Sequence, residues 1–498
     1  MGQSTDGTDT NGTGLDGTGP DGTGADHDGR GIAGRDAIGR EVADQVEALV
    51  GADVAARLTL TGPAEVLPSM YRVTTLAAVS VAVAAVGAGR LLSARSGGGD
   101  PPLTVDTRHA AAAFGSERHL RVDGRPLLTA REPISGFYRT ADDRWIQLHC
   151  TFPHHRDGVL DLLGVPGKRD AVARVVRGVD AATLETELQA MGLCASMART
   201  EAEWSRHPQA AALAEQPVLE IERLDDSPPR PLVPCETPAA GVRVLDLTRV
   251  IAGPVAGRTL AAHGADVLRV GAAHLPEVDM LLVDTGFGKR NTFLNLRVGA
   301  DARRLRELIA SADVLLAAYR PRALDRLGFD ADAVARLRPG IIYATISGYG
   351  RTGPWSGLRG FDSLVQTASG MTLAGKAADD LSEPVLLPVQ ALDHASGYLA
   401  AGGILDALSR RVREGGSWHV RVSLARTGRL LQDLGRHDTR AMPEPGPEDL
   451  EPFRDTYPSE FGELSYIRPP ATVAGVAPRW TRPPARLGTS APSWSIRS

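Results

Sequence analysis

Apolar and polar residues follow three different rhythms along this chain. Over 36–92 the spacing is helical: Val42, Val46, Leu49 and Val50 recur on one face, and after a break at Pro68 an uncharged run rich in Ala and Val occupies 73–89. Gly97-Gly98-Gly99 and Pro101-Pro102 mark a turn, after which 103–105 predicts a short strand and 110–114 an apolar helix. The stretch 126–215 has a mixed α+β texture, with strand, turn and strand over 138–148 and amphipathic helices over 169–179 and 182–191. Pro228, Pro229, Pro231, Pro234 and Pro238 make 224–240 an extended linker and a domain boundary. Beyond it the rhythm is β-α-β. Strands over 242–247, 266–270, 314–317 and 341–346 are predominantly apolar runs and alternate with helices over 257–263 and 302–309. Strands of that kind are buried on both faces, so the expected fold class is α/β, a doubly wound Rossmann-like parallel sheet with a smaller α+β domain. After Ala441 the chain reads as Pro-rich and irregular.

The first 35 residues depart from all of this. They are built from Gly, Thr and Asp around units such as Asp16-Gly17-Thr18-Gly19, and bury too little apolar surface to offset their ordering entropy, so 1–35 is expected to be a disordered tail. The units lack the large apolar residue that lets calcium-binding repeats stack. The remaining expected divisions are 36–125, 126–223 as the small α+β domain, 224–240 as linker, 241–440 as the large domain and 441–498 as a closing segment.

Charge narrows the function. With Lys+Arg 55 against Asp+Glu 60, the net charge of -5 argues against nucleic acid as a partner. Cys150, Cys194 and Cys235 lie far apart and form no CxxC pair, the usage expected in a reducing compartment. The N-terminus has no basic patch followed by an apolar run, and 73–89 is shorter and richer in Ala than a bilayer-spanning helix. The expectation is a cytoplasmic protein with no membrane partner, in which 73–89 is a buried core helix. His154-His155 and Cys150 lack a neighbouring carboxylate pair and read as surface residues, so no metal is expected.

No G-x-G-x-x-G or G-x-x-x-x-G-K-[ST] follows a strand. The first β-α connection of the large domain is Asp246-Leu247-Thr248-Arg249-Val250-Ile251-Ala252-Gly253-Pro254. There Gly253 permits close backbone approach, Pro254 suits the first helical turn, and free amides can hold an anion such as a diphosphate.

Several blocks, in order, resemble the family III CoA-transferases, the group that includes formyl-CoA and carnitine-type transferases and the α-methylacyl-CoA racemases. They are 241–254, 264–270, Gly288-Lys289-Arg290-Asn291, Asp313-Val314-Leu315, 319–328, 346–354 and Gly360-Phe361-Asp362-Ser363-Leu364-Val365-Gln366. The resemblance covers 241–430, and 482–488 is similar to the family's closing segment. Residues 126–215, with Glu203-Trp204 and His207-Pro208, resemble its small domain, which here precedes the large one instead of following it. Leu67-Pro68 and the helix after it echo Leu387-Pro388 and the helix after Asp393, so 36–125 is expected to hold a degenerate partial copy of a large-domain segment.

The resemblance implies transfer of CoA between an acyl-CoA thioester and a free carboxylic acid, both substrates, with no further cofactor. It implies Val250, Ala252 and Gly253 beside the nucleotide, Arg320 in the Tyr-Arg-Pro turn, and Lys289 with Arg290 near the phosphates. One departure follows Val270, where Gly271-Ala272-Ala273-His274 supplies no charge. The family's nucleophilic aspartate is expected to end a strand-to-helix motif, and Arg426 stands there in Val420-Arg421-Val422-Ser423-Leu424-Ala425-Arg426-Thr427. Arginine stays protonated and cannot attack. His109 occupies the similar point of the N-terminal copy, with Asp106 just before it. Asp393 matches the racemase aspartate, while Phe361 replaces that branch's histidine and His394 is its candidate substitute. The readings left open are a CoA-transferase, an α-proton-transfer racemase using Asp393 and His394, and an inactive CoA-thioester-binding partner subunit. The family's interlocked dimers imply a homodimer, or a monomer that imitates one through its internal echo.

Overall fold

The computed structural model describes residues 28–495, apart from Ala52, 128–131, Pro321 and 380–382. Most of the expected disordered tail, 1–27, lies outside the described residues. Its end does not match the expectation, because a helix already begins at Asp28 and runs Asp28–Val50.

The N-terminal part then forms β1 (Leu58–Thr61), α1 (Val73–Ser96), β2 (Leu103–Asp106), α2 (Thr107–Ala113) and α3 (Ser116–His119). After the small domain come β3 (Leu219–Arg223), β4 (Arg243–Leu247), α4 (Ala252–Ala262), β5 (Asp266–Gly271), β6 (Lys289–Phe293), β7 (Val314–Ala317) and β8 (Ile342–Ser347). They are followed by α5 (Asp362–Ala368), α6 (Ala391–Glu414), β9 (Trp418–Ser423) and α7 (Leu424–Asp433).

Seven strands make one sheet in the order β6-β5-β4-β7-β8-β9-β3, all parallel except β3, which lies antiparallel on β9. The apolar runs are long because both faces are covered. Leu245, Leu268, Leu315 and Tyr343 share a core with Leu305, Leu308 and Val334 from the helices Gly299–Ile309 and Ala331–Leu337. Val244, Val314, Ile342 and Val420 pack on the opposite side with Val255, Leu260, Leu399 and Ile404 of α4 and α6. From β4 the chain builds outward through β5 and β6, then returns to place β7 on the other side of β4. That reversal opens a crevice at the carboxyl ends of β4 and β7, where doubly wound sheets bind ligands.

The small domain is a three-stranded antiparallel sheet, Gly136–Arg139, Trp145–Leu148 and Ala195–Met197, backed by the helices Pro153–Leu163, Arg169–Val176 and Ala181–Ala190. Its limit falls short of residue 223, because β3 has left it to cap the edge of the large sheet. The proline-rich linker is tied down by Arg95, whose guanidinium donates to the carbonyls of Val233, Thr237, Pro238 and Ala240.

α1 passes the length and apolarity test for a membrane span, yet it is buried inside the protein, lying along α6. The two helices have 24 residues each and touch through glycines. A Cβ on Gly87 would sit 2.4 Å from the Gly402 carbonyl oxygen, and one on Gly402 2.6 Å from that of Val83. The run β1-α1-β2-α2 echoes β8, α6, β9 and α7, although α5 and the helix Met371–Asp379 intervene between β8 and α6: both strand pairs are parallel, and in both the last strand residue, Asp106 or Ser423, caps the short helix that follows. After Ala441 the chain is more regular than its prolines suggest. A hairpin, Arg454–Ser459 with Gly462–Ile467, pairs with Arg121–Val122, and Thr472–Val473 pairs with β2.

Candidate functional site

The crevice at the strand reversal is a cavity of about 410 Å³. Its floor is the turn after β4, Arg249 to Gly253, with Ala318, Tyr319 and Arg320 after β7. Val250 holds φ at +72°, a left-handed conformation that a β-branched residue rarely adopts and that costs on the order of 1–3 kcal/mol. Gly253 is needed for packing within the turn, since a Cβ there would lie 2.4 Å from Cβ of Thr248. A second cavity, of about 480 Å³, opens beyond Tyr319 and Arg320 over a polar sheet face, but Asp393 lies in the first.

Asp393 stands in the first turn of α6 and faces the crevice beside Ile251, Gly360 and Phe361, with 7% of its surface exposed. The turn is held from α5. One carboxylate oxygen of Asp362 accepts the amides of Leu392 at 2.8 Å and Asp393 at 2.9 Å, and its other oxygen accepts from Gln366. Burial first, then the charges of Asp362 and Glu117, push the Asp393 carboxyl well above the usual carboxylate range.

The structure separates the other expected site residues from this carboxylate. His394 points away from the crevice, fully buried, with Nε2 3.0 Å from Glu117 Oε2 and its ring stacked on Phe114. It does not substitute for the histidine missing at Phe361. Arg426 is also outside. Its amide is capped by Ser423, and its Nε donates to the Gln216 carbonyl at 2.8 Å, so the motif presents Leu424 to the crevice instead. Lys289 lies beneath the turn with no exposure, its Nζ 2.7 Å from Asp246 Oδ2 and 2.8 Å from the Pro254 carbonyl. Burial lowers its pKa to about 8. Arg290 is held toward the sheet edge by Asp266 and the Ser493 carbonyl. Neither cation reaches the crevice. Asp106 caps α2 and pairs with Arg108, while His109 binds the Arg468 carbonyl. Val250, Ala252, Gly253, Arg320 and Asp393 are the expected residues that do come together.

The far wall comes from the small domain and was not anticipated. Phe152, His154 and His155 line it, and His155 is buried, with Nε2 3.6 Å from Cys194 Sγ. His149 stacks on Phe361 with ring centroids 4.0 Å apart. Arg249 lies over the Phe152 ring, and Arg297 and Arg359 complete a cationic rim with Arg320. The adjacent histidines carried a sequence signal, but only the docking of one domain on the other turns it into a wall.

Residues 240–458 match the family model of CoA-transferase family III. Over 218 residues the chain is 38% identical to the acetyl-coenzyme A transferase nodX of Hypoxylon pulicicidum, covering 43% of this chain and 37% of that protein. Over 195 residues it is 34% identical to the formyl-CoA:oxalate CoA-transferase of Streptomyces coelicolor, 37% of this chain and 47% of the other. A solved structure of Rv3272 from Mycobacterium tuberculosis aligns with a TM-score of 0.37 and 32% identity, over 40% of this chain and 56% of that one. The chain spans less than half the length of both curated relatives. The matched segment, 240–458, contains the turn after β4, Arg320, Asp362 and Asp393, whereas Glu117 and the His149 to His155 wall lie outside it.

Proposed function

We propose that the protein moves CoA between an acyl-CoA thioester and a free carboxylic acid, with Asp393 as nucleophile. The carboxylate of Asp393 attacks the thioester carbonyl, the C–S bond breaks, and the CoA thiolate leaves with its electron pair, forming a mixed anhydride. The thiolate then attacks the aspartyl carbonyl, releasing the donor acid and leaving an aspartyl-CoA thioester. The acceptor carboxylate attacks that thioester, and the returning thiolate converts the second anhydride to the product thioester and free Asp393. The observation that carries this reading is the placement of Asp393: a buried carboxylate beside like charges, open to the crevice. A charge disfavoured in that setting is relieved when the oxygen is acylated, so the same surroundings that raise its proton affinity favour attack. The cationic rim and the amides of the turn after β4 suit the phosphates of CoA. The alternative of α-proton exchange needs a second base, and His394 is held on Glu117.

Incubation with an acyl-CoA followed by hydroxylamine is expected to modify Asp393, located by mass spectrometry. Asp393→Asn should give no label and lose roughly a thousandfold or more in turnover, while Arg426→Ala stays within about threefold of the parent. Since attack needs the ionised form and the carboxyl is raised, turnover should fall on the acid side at a pH above the usual carboxylate range. Label at another residue, or α-deuterium exchange without label, would refute the transferase reading.

A further inference from the structure

Asp393 is backed by a group from outside the matched segment 240–458. α3 sends two side chains into the floor of α6. Ser116 Oγ donates to Asp284 Oδ2 and accepts from Arg258, each at 2.9 Å, and Arg258 also donates to Asp284 at 2.7 Å. The next residue, Glu117, is 5% exposed and accepts from His394 Nε2 at 3.0 Å. His394 Nδ1 is buried and has no partner. Among the described residues the ring is therefore anchored through Nε2 alone, on Glu117. The Glu117 carboxylate thereby stands behind Asp393, the residue that precedes His394 in the same helical turn, and acts on it as a like charge.

We infer that Glu117 is a positioning residue for Asp393: through His394 it sets the rotation of the first turn of α6, so that Asp393 faces the crevice while its neighbour faces inward, and it holds a like charge behind the nucleophile. The inference rests on the reading of Asp393 as nucleophile. Two hydrogen-bonded anchors hold the turn, Asp362 on the backbone amides and Glu117 on the His394 ring. The charged groups around it are Asp362 from α5, Glu117 from α3, Arg258 from α4 and Asp284 from the helix Asp279–Thr285, with Arg258 and Asp284 paired to each other. The carboxylates of Asp362 and Glu117 oppose the ionisation of Asp393, while Arg249, Arg297, Arg320 and Arg359 share its crevice from the other side of the opening.

The test compares E117A and E117Q in the full chain, by the rate of acyl labelling at Asp393, the pH profile of turnover, and CoA affinity by calorimetry. E117A removes anchor and charge, and should slow labelling by about tenfold or more with CoA affinity within about twofold of the parent. E117Q keeps an acceptor for the His394 N–H, and should recover labelling to within about threefold. By removing the like charge it should also move the acid limb of the profile to lower pH. Unchanged labelling in E117A with an unmoved acid limb in E117Q would overturn the inference, as would losses that only track CoA affinity and melting temperature. Should E117A fail to fold, the acid limb of E117Q decides alone. A parent that takes no label at Asp393 refutes the transferase reading instead, whereas a parent that labels normally beside indifferent Glu117 variants refutes only this one.

Discussion

Lys289 and Asp393 are both charges held away from water, under opposite conditions. Lys289 is matched: Asp246 and the Pro254 carbonyl surround its ammonium, so it braces the turn after β4 from below. Replacing it by Met leaves Asp246 buried without its cation, and breaking a buried pair in this way costs about 3–5 kcal/mol. Lys289→Met should therefore lower the denaturant midpoint strongly, while CoA affinity of the folded fraction changes by no more than about twofold. A large loss of affinity without loss of stability would return Lys289 to the phosphates. Asp393 is unmatched, with Asp362 and Glu117 adding to the cost of burial. Motif position brings both residues to attention, but it does not tell a brace from a reactive group. That distinction depends on depth and partners: Lys289 is separated by 43 residues from the aspartate that neutralises it, and His394 by 277 from its glutamate.

At the scale of elements, periodicity served well where one face or both faces of a segment are buried. The parallel strands other than β6, the small-domain hairpin over 136–148 and the buried helix α1 were legible for that reason. The hairpin over 454–467 was not, because it is half-exposed, contains Pro458 and shows no clean alternation. Nor did patterning announce how α1 meets α6. Ala and Gly fill that contact and let the two backbones approach, so added volume has nowhere to go. Gly87→Val should destabilise the protein by about 1–3 kcal/mol in chemical denaturation. Gly99→Val, at an open turn with nothing within 4 Å of a Cβ, should stay within about 0.5 kcal/mol. Equal effects would mean the helices can separate without cost.

Across the whole molecule, the matched segment 240–458 is not self-sufficient. α6 is buried on one side by the large sheet and on the other by α1, and Glu117, the linker anchor Arg95 and the hairpin's partner strand Arg121–Val122 all come from the N-terminal part. Excising 28–125 would expose the α1-facing side of α6 as a continuous apolar surface. The shortened chain should elute as aggregates in size-exclusion chromatography with light scattering, whereas a monodisperse, CoA-binding product would show that the remainder closes over α6 unaided.

Local residue order determined the parallel sheet, the strand-to-helix turn that lines the crevice, and an aspartate at the start of a long helix, because backbone propensity and apolar periodicity act over a few residues. Tertiary packing alone decided that Asp393 faces the crevice, His394 the interior, Lys289 the underside of the turn and Arg426 the Gln216 carbonyl. The direction a polar side chain takes follows from which distant groups can satisfy it once water has been excluded, and those partners, Glu117 and the small-domain wall among them, are brought together only by the folded chain.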